Sequence, residues 1–421
     1  MGCGATGAYV KRDRIVAGLD LGSTKTCAVI AEATGTVRAP GAKILGVGVA
    51  KASGVRRGVV RDIEETTRSI QAAMKDAERM AGVQVTSVVC GTAGEHVRAQ
   101  TASGLASVTG DEITRADVQR VEEVAKSVNR WQEFELLHHI PQEYKVDAQG
   151  GINEPVGMTG LRLEVDMYLV SVQQTAAQNM RKAVERAGYK VGSLVLEPLA
   201  ASLAVLSGEE RELGCALVEV GGASTGVAIF KDGKIRHLES IAFAGMRVTN
   251  DIVQGLGVTQ ADAERLKEKW GAAYTPLVDQ NEMIDLPSTP GQGVRQAKRE
   301  LLAHIIQERL DEIFLLVATE IEKAGFTGRL PAGVVLTGGG AQLPGIVELA
   351  REVFATPARV GVPDRGITGL VDSVQAPRYA VPAGLVLYAA RQRGDNTGGS
   401  AGDAKVDRLF APVRRWLQDF F

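Results

Sequence analysis

Cys215-Ala216-Leu217-Val218-Glu219-Val220-Gly221-Gly222-Ala223-Ser224-Thr225-Gly226 is an apolar, strand-like run that ends in a carboxylate and breaks into glycines and hydroxyls. Val227 to Lys231 carries the chain back as a return strand, so the glycines form a hairpin tip. About 200 residues earlier the same order of residue types occurs: Ile15 to Leu19 leads into Asp20-Leu21-Gly22-Ser23-Thr24-Lys25, and Thr26 to Ala31 returns. One such cluster is an ordinary tight turn. Two of them, each behind an acidic residue at a strand end, suit a metal-bound phosphate chain gripped from two sides. Gly22, Gly221 and Gly222 allow close backbone approach, the hydroxyls of Ser23, Thr24, Ser224 and Thr225 donate to oxygen, and Lys25 adds positive charge. Asp20 and Glu219 suit Mg2+ held through water, since that ion gives up its hydration shell reluctantly. A third run, Leu336-Thr337-Gly338-Gly339-Gly340, again follows apolar residues and leads towards a predicted helix from Ile346 to Phe354.

Around these loops the pattern is that of a layered α/β protein. Strands are expected over Gln84 to Cys90, Val165 to Val172 and Val191 to Leu196, and helices over Asp62 to Ala81, from Thr114, and over Ala176 to Ala187. The helix from Thr114 should bury Val118, Val121, Ala125 and Val128. Thr259 to Trp270 and Arg295 to Ala324 read as helices separated by a loop from Pro276 to Gly293. At 421 residues two or more domains are expected, and a net charge of -2 argues against nucleic acid as a partner. The four cysteines lie far apart without C-x-x-C spacing, and His138-His139 reads as a pair of strand residues, so neither suggests a zinc site. Met1-Gly2-Cys3-Gly4-Ala5-Thr6 fits an N-myristoylation pattern of a kind that recurs by chance.

The paired hairpins and the third glycine loop resemble the actin-type ATPase superfamily, and the chain from Ile15 to Arg391 resembles its FtsA family of bacterial cell-division proteins. Family-like segments include Ile140-Pro141-Gln142-Glu143-Tyr144, Asn153-Glu154-Pro155-Val156-Gly157-Met158-Thr159-Gly160, Arg211-Glu212-Leu213-Gly214-Cys215 and Ile367-Thr368-Gly369-Leu370. The resemblance implies an actin-like, ribonuclease H-like two-lobed fold with duplicated sheet domains, an inserted 1C-type subdomain and a C-terminal amphipathic helix. Its expected divisions are a disordered leader at 1–14, subdomain 1A at 15–90 with 170–197 and 375–390, and 1C at 91–169. Subdomain 2A would take 198–232 and 325–374, 2B would take 233–324, a linker 391–404 and the terminal helix 405–421.

The resemblance also implies roles. Gly338, Gly339 and Gly340 would lie against adenosine, Glu264 and Lys267 would contact adenine and ribose, and Glu197 would position the attacking water of an ATP-binding site. Relatives begin the second hairpin with Asp and carry another Asp after the threonines, where this chain has Glu219 and Gly226; ATP hydrolysis is therefore expected to be weak or absent. The family polymerises and holds FtsZ at the membrane, its 1C subdomain meeting later division proteins. The FtsZ C-terminal peptide would meet Arg295, Lys298, Arg299 and Arg309.

The chain's end supports the membrane role from its own residues. Wound as a helix, Leu409, Phe410, Val413, Trp416, Leu417, Phe420 and Phe421 fall with Val406 in an arc of roughly 140 degrees, and Arg408, Arg414 and Arg415 flank it. That suits a helix lying in an anionic lipid surface, with Pro412 as its first residue; the resemblance implies that this surface is the cytoplasmic face of the inner membrane. Two other readings share the fold: a PilM-like pilus-assembly adaptor, and a sugar-kinase-type phosphotransferase.

Overall fold

The computed structural model describes residues 14–36, 39–128, 131–287 and 295–396. The expected leader up to residue 13, most of the linker, and the terminal helix with Leu409, Phe410, Val413, Arg414, Arg415, Trp416, Leu417, Phe420 and Phe421 lie outside the described residues. Two sheets repeat one plan. The first runs, in spatial order, Lys190–Leu196, Ser87–Thr92, Ile15–Leu21, Lys25–Gly35, Pro40–Lys51 and Ile367–Gly369. The second runs Ala358–Val360, Val334–Thr337, Cys215–Val220, Thr225–Lys231 and Lys234–Ile241. In each, a central antiparallel hairpin has an antiparallel strand on one side and two parallel strands on the other. Parallel neighbours need long crossovers, and these place helices on the sheet faces, so the inner strands are buried on both sides. Every residue of Ile15–Leu21 is buried accordingly.

Between Ser87–Thr92 and Lys190–Leu196, the two strands of the first sheet's parallel side, the chain makes an insert of four antiparallel strands, Val97–Ser107, Phe134–Val146, Gln149–Ile152 and Arg162–Gln173, backed by the helix Arg115–Ser127. Thr114 and Asp117 close a reciprocal cap that starts this helix. The insert leans on the second lobe: the Lys234 ammonium donates to the Gln142 carbonyl at 2.6 Å and to Asn153 Oδ1 at 2.5 Å, and the Tyr168 hydroxyl donates to the Leu238 carbonyl at 3.1 Å.

The lobes are joined by two crossing helices, Glu197–Val205 and Ala380–Asn396. A Cβ on Gly384 would lie 1.8 Å from the Ala200 carbonyl oxygen, so glycine is required for this backbone-to-backbone contact. One apolar core, from Val29 and Ile44 through Leu199 and Leu385 to Leu217 and Phe230, runs beneath both lobes.

Several expectations need correction. Arg295–Lys298 is a short strand paired with Met283–Leu286, and the long helix starts only at Arg299, ending at Lys323. Ile367–Gly369, placed in the second lobe from sequence, pairs with Ala42–Ile44 on the edge of the first sheet. The insert's last strand continues to Gln173, and the helix from Ala380 continues to Asn396, into the stretch read as linker. Val128 caps the insert's helix and is exposed, because the helix ends before its side chain can turn inward. The helix Gly245–Leu256 was not anticipated.

Candidate functional site

The two hairpins end in matching four-residue loops, Gly22 to Lys25 and Gly221 to Ser224, closed by the pairs Leu21 with Thr26 and Val220 with Thr225. The two tips make the same close approach: a Cβ on Gly22 would sit 2.8 Å from the Lys25 carbonyl oxygen, and one on Gly221 would sit 2.8 Å from that of Ser224. The tips meet across the cleft between the lobes, where a Cβ on Gly222 would lie 2.6 Å from Thr24 Cγ2.

This cleft encloses about 460 Å³, within the range of small-molecule sites. Asp20, Gly22, Ser23, Thr24 and Lys25 line it from the first lobe, and Glu219, Gly221, Gly222 and Ser224 from the second. Glu197 closes its floor, while Glu264, Lys267, Gly338, Gly339 and Gly340 form the far wall. Thr225, expected among these, is instead the first residue of the return strand; it is fully buried, and its hydroxyl donates to the Phe243 carbonyl at 2.7 Å.

The floor is an acidic cluster with one lysine. Lys25 Nζ lies 3.1 Å from Asp20 Oδ2. Burial works against the Lys25 charge, but Asp20 and its other neighbours more than offset that, and its pKa is raised. Burial, and then the Asp20 charge, push Glu219 up to about 8, against the pull of Lys25. Glu197 is held well above the usual carboxylate range by burial first and by Asp20 and Glu219 next. A hydrated divalent cation in this cleft would offset the burial, and then the neighbouring negative charge, that raise the two glutamates.

On the far wall, Lys267 Nζ reaches Glu264 Oε2 at 2.8 Å, Thr249 Oγ1 at 2.8 Å and the Gly245 carbonyl at 3.2 Å, clasping two helices at the rim. Gly245 and Met246, at the start of the unanticipated helix, donate their amides to the carbonyls of Gly221 and Gly222 at 3.2 and 2.7 Å and so hold the second tip in place. Gly338 has φ of 84°, and a Cβ there would meet the Val220 carbonyl at 2.5 Å, so the third glycine loop lies directly on the second hairpin. Sequence reasoning also missed Arg378, which lines the cleft and donates to Gln342 Oε1 at 2.7 Å; nothing in its local sequence marks it.

The residues expected to meet a partner peptide lie apart from the cleft, around the long helix. Arg295 donates to the Leu256 and Gly257 carbonyls, capping a helix C-terminus. Arg299 pairs with Glu282 at 2.7 Å, and Arg309 with Asp251 at 2.5 Å. Lys298 is exposed. Three of these four cations thus serve internal contacts. Among the described residues no helix is long and apolar enough to cross a membrane.

Comparison with known proteins agrees with this architecture. The family described as cell division protein FtsA matches residues 216–384, and the SHS2 domain inserted in FtsA matches residues 94–171. Cell division protein FtsA of Pseudomonas aeruginosa is 37% identical over 420 residues, covering 98% of this chain and 100% of the relative. That of Escherichia coli K12 is 37% identical, covering 96% of each. Among solved structures, the PilM-PilN type IV pilus biogenesis complex aligns with a TM-score of 0.65 at 16% identity, covering 89% of this chain and 98% of that one. MreB5 of Spiroplasma citri bound to ADP aligns at 0.53 and 15%, covering 92% and 99%. These structures establish an actin-like fold for the two lobes.

Proposed function

Because the chain belongs to the FtsA family of cell-division proteins, we propose that it binds Mg2+-ATP between its lobes, assembles into actin-like filaments and ties FtsZ filaments to the cytoplasmic membrane. The observation that carries the nucleotide reading is the contact of two matched glycine hairpins, Gly222 against Thr24, over a floor of three carboxylates and Lys25. In this reading the hairpin amides and the hydroxyls of Ser23, Thr24 and Ser224 hold the phosphates, and Asp20 and Glu219 hold the ion's water shell. Gly338, Gly339, Gly340, Glu264 and Lys267 hold the adenosine, and Glu197 orients water. Hydrolysis is slow: Glu219 is one methylene longer than Asp, and a Cβ on Gly226 would lie 2.6 Å from Pro198 Cγ, so a second carboxylate has no room there.

Titration with a fluorescent ATP analogue, with and without Mg2+, tests the cleft; magnesium-independent or absent binding would refute it. The tether is tested by co-sedimentation with anionic liposomes and an FtsZ tail peptide. Trp416→Glu should release the protein from liposomes with ATP binding intact, and Lys298→Glu should weaken peptide capture. Unchanged liposome binding would defeat the anchor assignment.

A further inference from the structure

Away from the cleft, the edge strand Lys234–Ile241 carries a second cluster of chemistry-bearing side chains. Its pairing slips between Ile229 and Phe230, leaving Arg236 as an extra, bulged residue. As a result Ile235 and Leu238, three positions apart, both enter the core beneath the lobes, while His237 and Glu239 turn to the opposite face. There the long helix Arg299–Lys323 packs, and it supplies Glu320. One ligand-type atom from each of His237, Glu239 and Glu320 lies within 4.8 Å of the others, with His237 Nε2 3.7 Å from Glu320 Oε2. That separation is too long for a hydrogen bond. Among the described residues His237 Nε2 has no hydrogen-bond partner, although it is shielded from solvent. A buried polar atom left so is costly, and something should satisfy it.

We propose that His237, Glu239 and Glu320 bind a first-row divalent cation, with zinc the best-matched ion. An imidazole nitrogen with two carboxylates is a mixed N/O set that favours such ions over magnesium or calcium, and its two negative charges balance the ion's. Bonds of about 2.0–2.2 Å place neighbouring ligand atoms roughly 3.5 Å apart, close to the spacing of His237 and Glu320, and water completes a tetrahedron. The remaining oxygens are already occupied: Lys323 Nζ holds Glu320 Oε1 at 2.7 Å, and the Ser240 amide donates to Glu239 Oε1 at 3.0 Å. Exposed Glu239 closes the last gap by a rotamer change. The ion fastens the second sheet's edge to the end of the long helix, beside the strand residue, Leu238, that receives the insert's Tyr168.

The test is calorimetric titration of zinc into chelator-stripped, full-length protein with millimolar Mg2+ and ATP present to saturate the cleft. One zinc per chain should bind, raising the melting temperature. His237→Gln and Glu239→Gln should each weaken zinc at least about tenfold, whereas Glu219→Gln, in the cleft, should leave it unchanged. Cobalt substitution should give the visible spectrum of a four-coordinate N/O site, lost in His237→Gln. The proposal is overturned if folded His237→Gln binds zinc as the parent does, if Glu219→Gln abolishes zinc, or if no zinc binds and the imidazole instead takes a proton between the glutamates. Glu239→Gln, altering an exposed side chain, decides the matter should His237→Gln fail to fold.

Discussion

The two hairpins share one backbone and differ in charge. In the first, Asp20 faces Lys25 at 3.1 Å, and the loop carries its own counterion. In the second, Glu219 stands where Asp20 stands, but the loop position matching Lys25 is Ser224, and burial, then the Asp20 charge, push Glu219 up to about 8. The loop plan is common to both hairpins, and the acid–lysine pair belongs to the first alone. The first tip is therefore a finished electrostatic unit, whereas the second is completed only by what lies in the cleft.

Separating the two tips should have the largest effect. Gly222→Val would drive a side chain into Thr24 Cγ2 and should cut nucleotide affinity about 100-fold, or about 3 kcal/mol. Adding Thr24→Gly should recover part of that loss in the same fluorescence titration, as coupled neighbours do. Next, Lys25→Ala removes the cation and strands Asp20, and should weaken nucleotide by about 2 kcal/mol. Ser224→Ala, at the matching position, should cost less than about 1 kcal/mol.

The third effect is a pH dependence. Glu219 holds its proton up to about 8 in the folded chain but loses it in the usual carboxylate range when unfolded. Its contribution to stability is therefore fully present below that range and is lost as pH rises through 8. Denaturant unfolding without Mg2+ or nucleotide should show stability falling by at most about 1.4 kcal/mol per pH unit from this group. Glu219→Gln should flatten that slope, and in the parent Mg2+-nucleotide should bind more tightly as pH approaches 8. Smallest are the buried threonines at the hairpin bases. Thr26 bonds Ser69 at 2.6 Å and Thr225 bonds Phe243 at 2.7 Å, so Thr26→Val and Thr225→Val should each cost about 1 kcal/mol of stability with nucleotide affinity unchanged.

The hairpins were legible because an apolar run, an acid and a glycine turn are local signals, repeated. Cys215–Val220 and Ile346–Phe354 begin and end where patterning placed them. What escaped depends on distant partners. Arg295-Gln296-Ala297-Lys298 has no strand alternation of apolar residues and adjoins a strong helix former, so only its pairing with Met283–Leu286 reveals it. Three residues, Ile367–Gly369, hold no information about which of two sheets they will join. The helix Gly245–Leu256 starts at Ala244 without a side-chain cap, so its usual start signal is missing. Thr225 follows Ser224 and in sequence has the look of a phosphate ligand, yet strand register turns it inward. Arg295, Arg299 and Arg309 looked like free charge because their carbonyl and carboxylate partners lie far away in the chain.

The crossing at Gly384 and Ala200 has a mechanical corollary. Two helices that touch bare main chain to bare main chain form a fulcrum: they can swivel about the spot, but sliding would drive flanking side chains into each other. The jaws above should therefore open by rotation, with the hairpin tips travelling furthest and the base hardly at all. Gly384→Ala would act as a doorstop, propping the jaws apart, and X-ray scattering in solution should register it as a larger radius of gyration that saturating ATP cannot reverse.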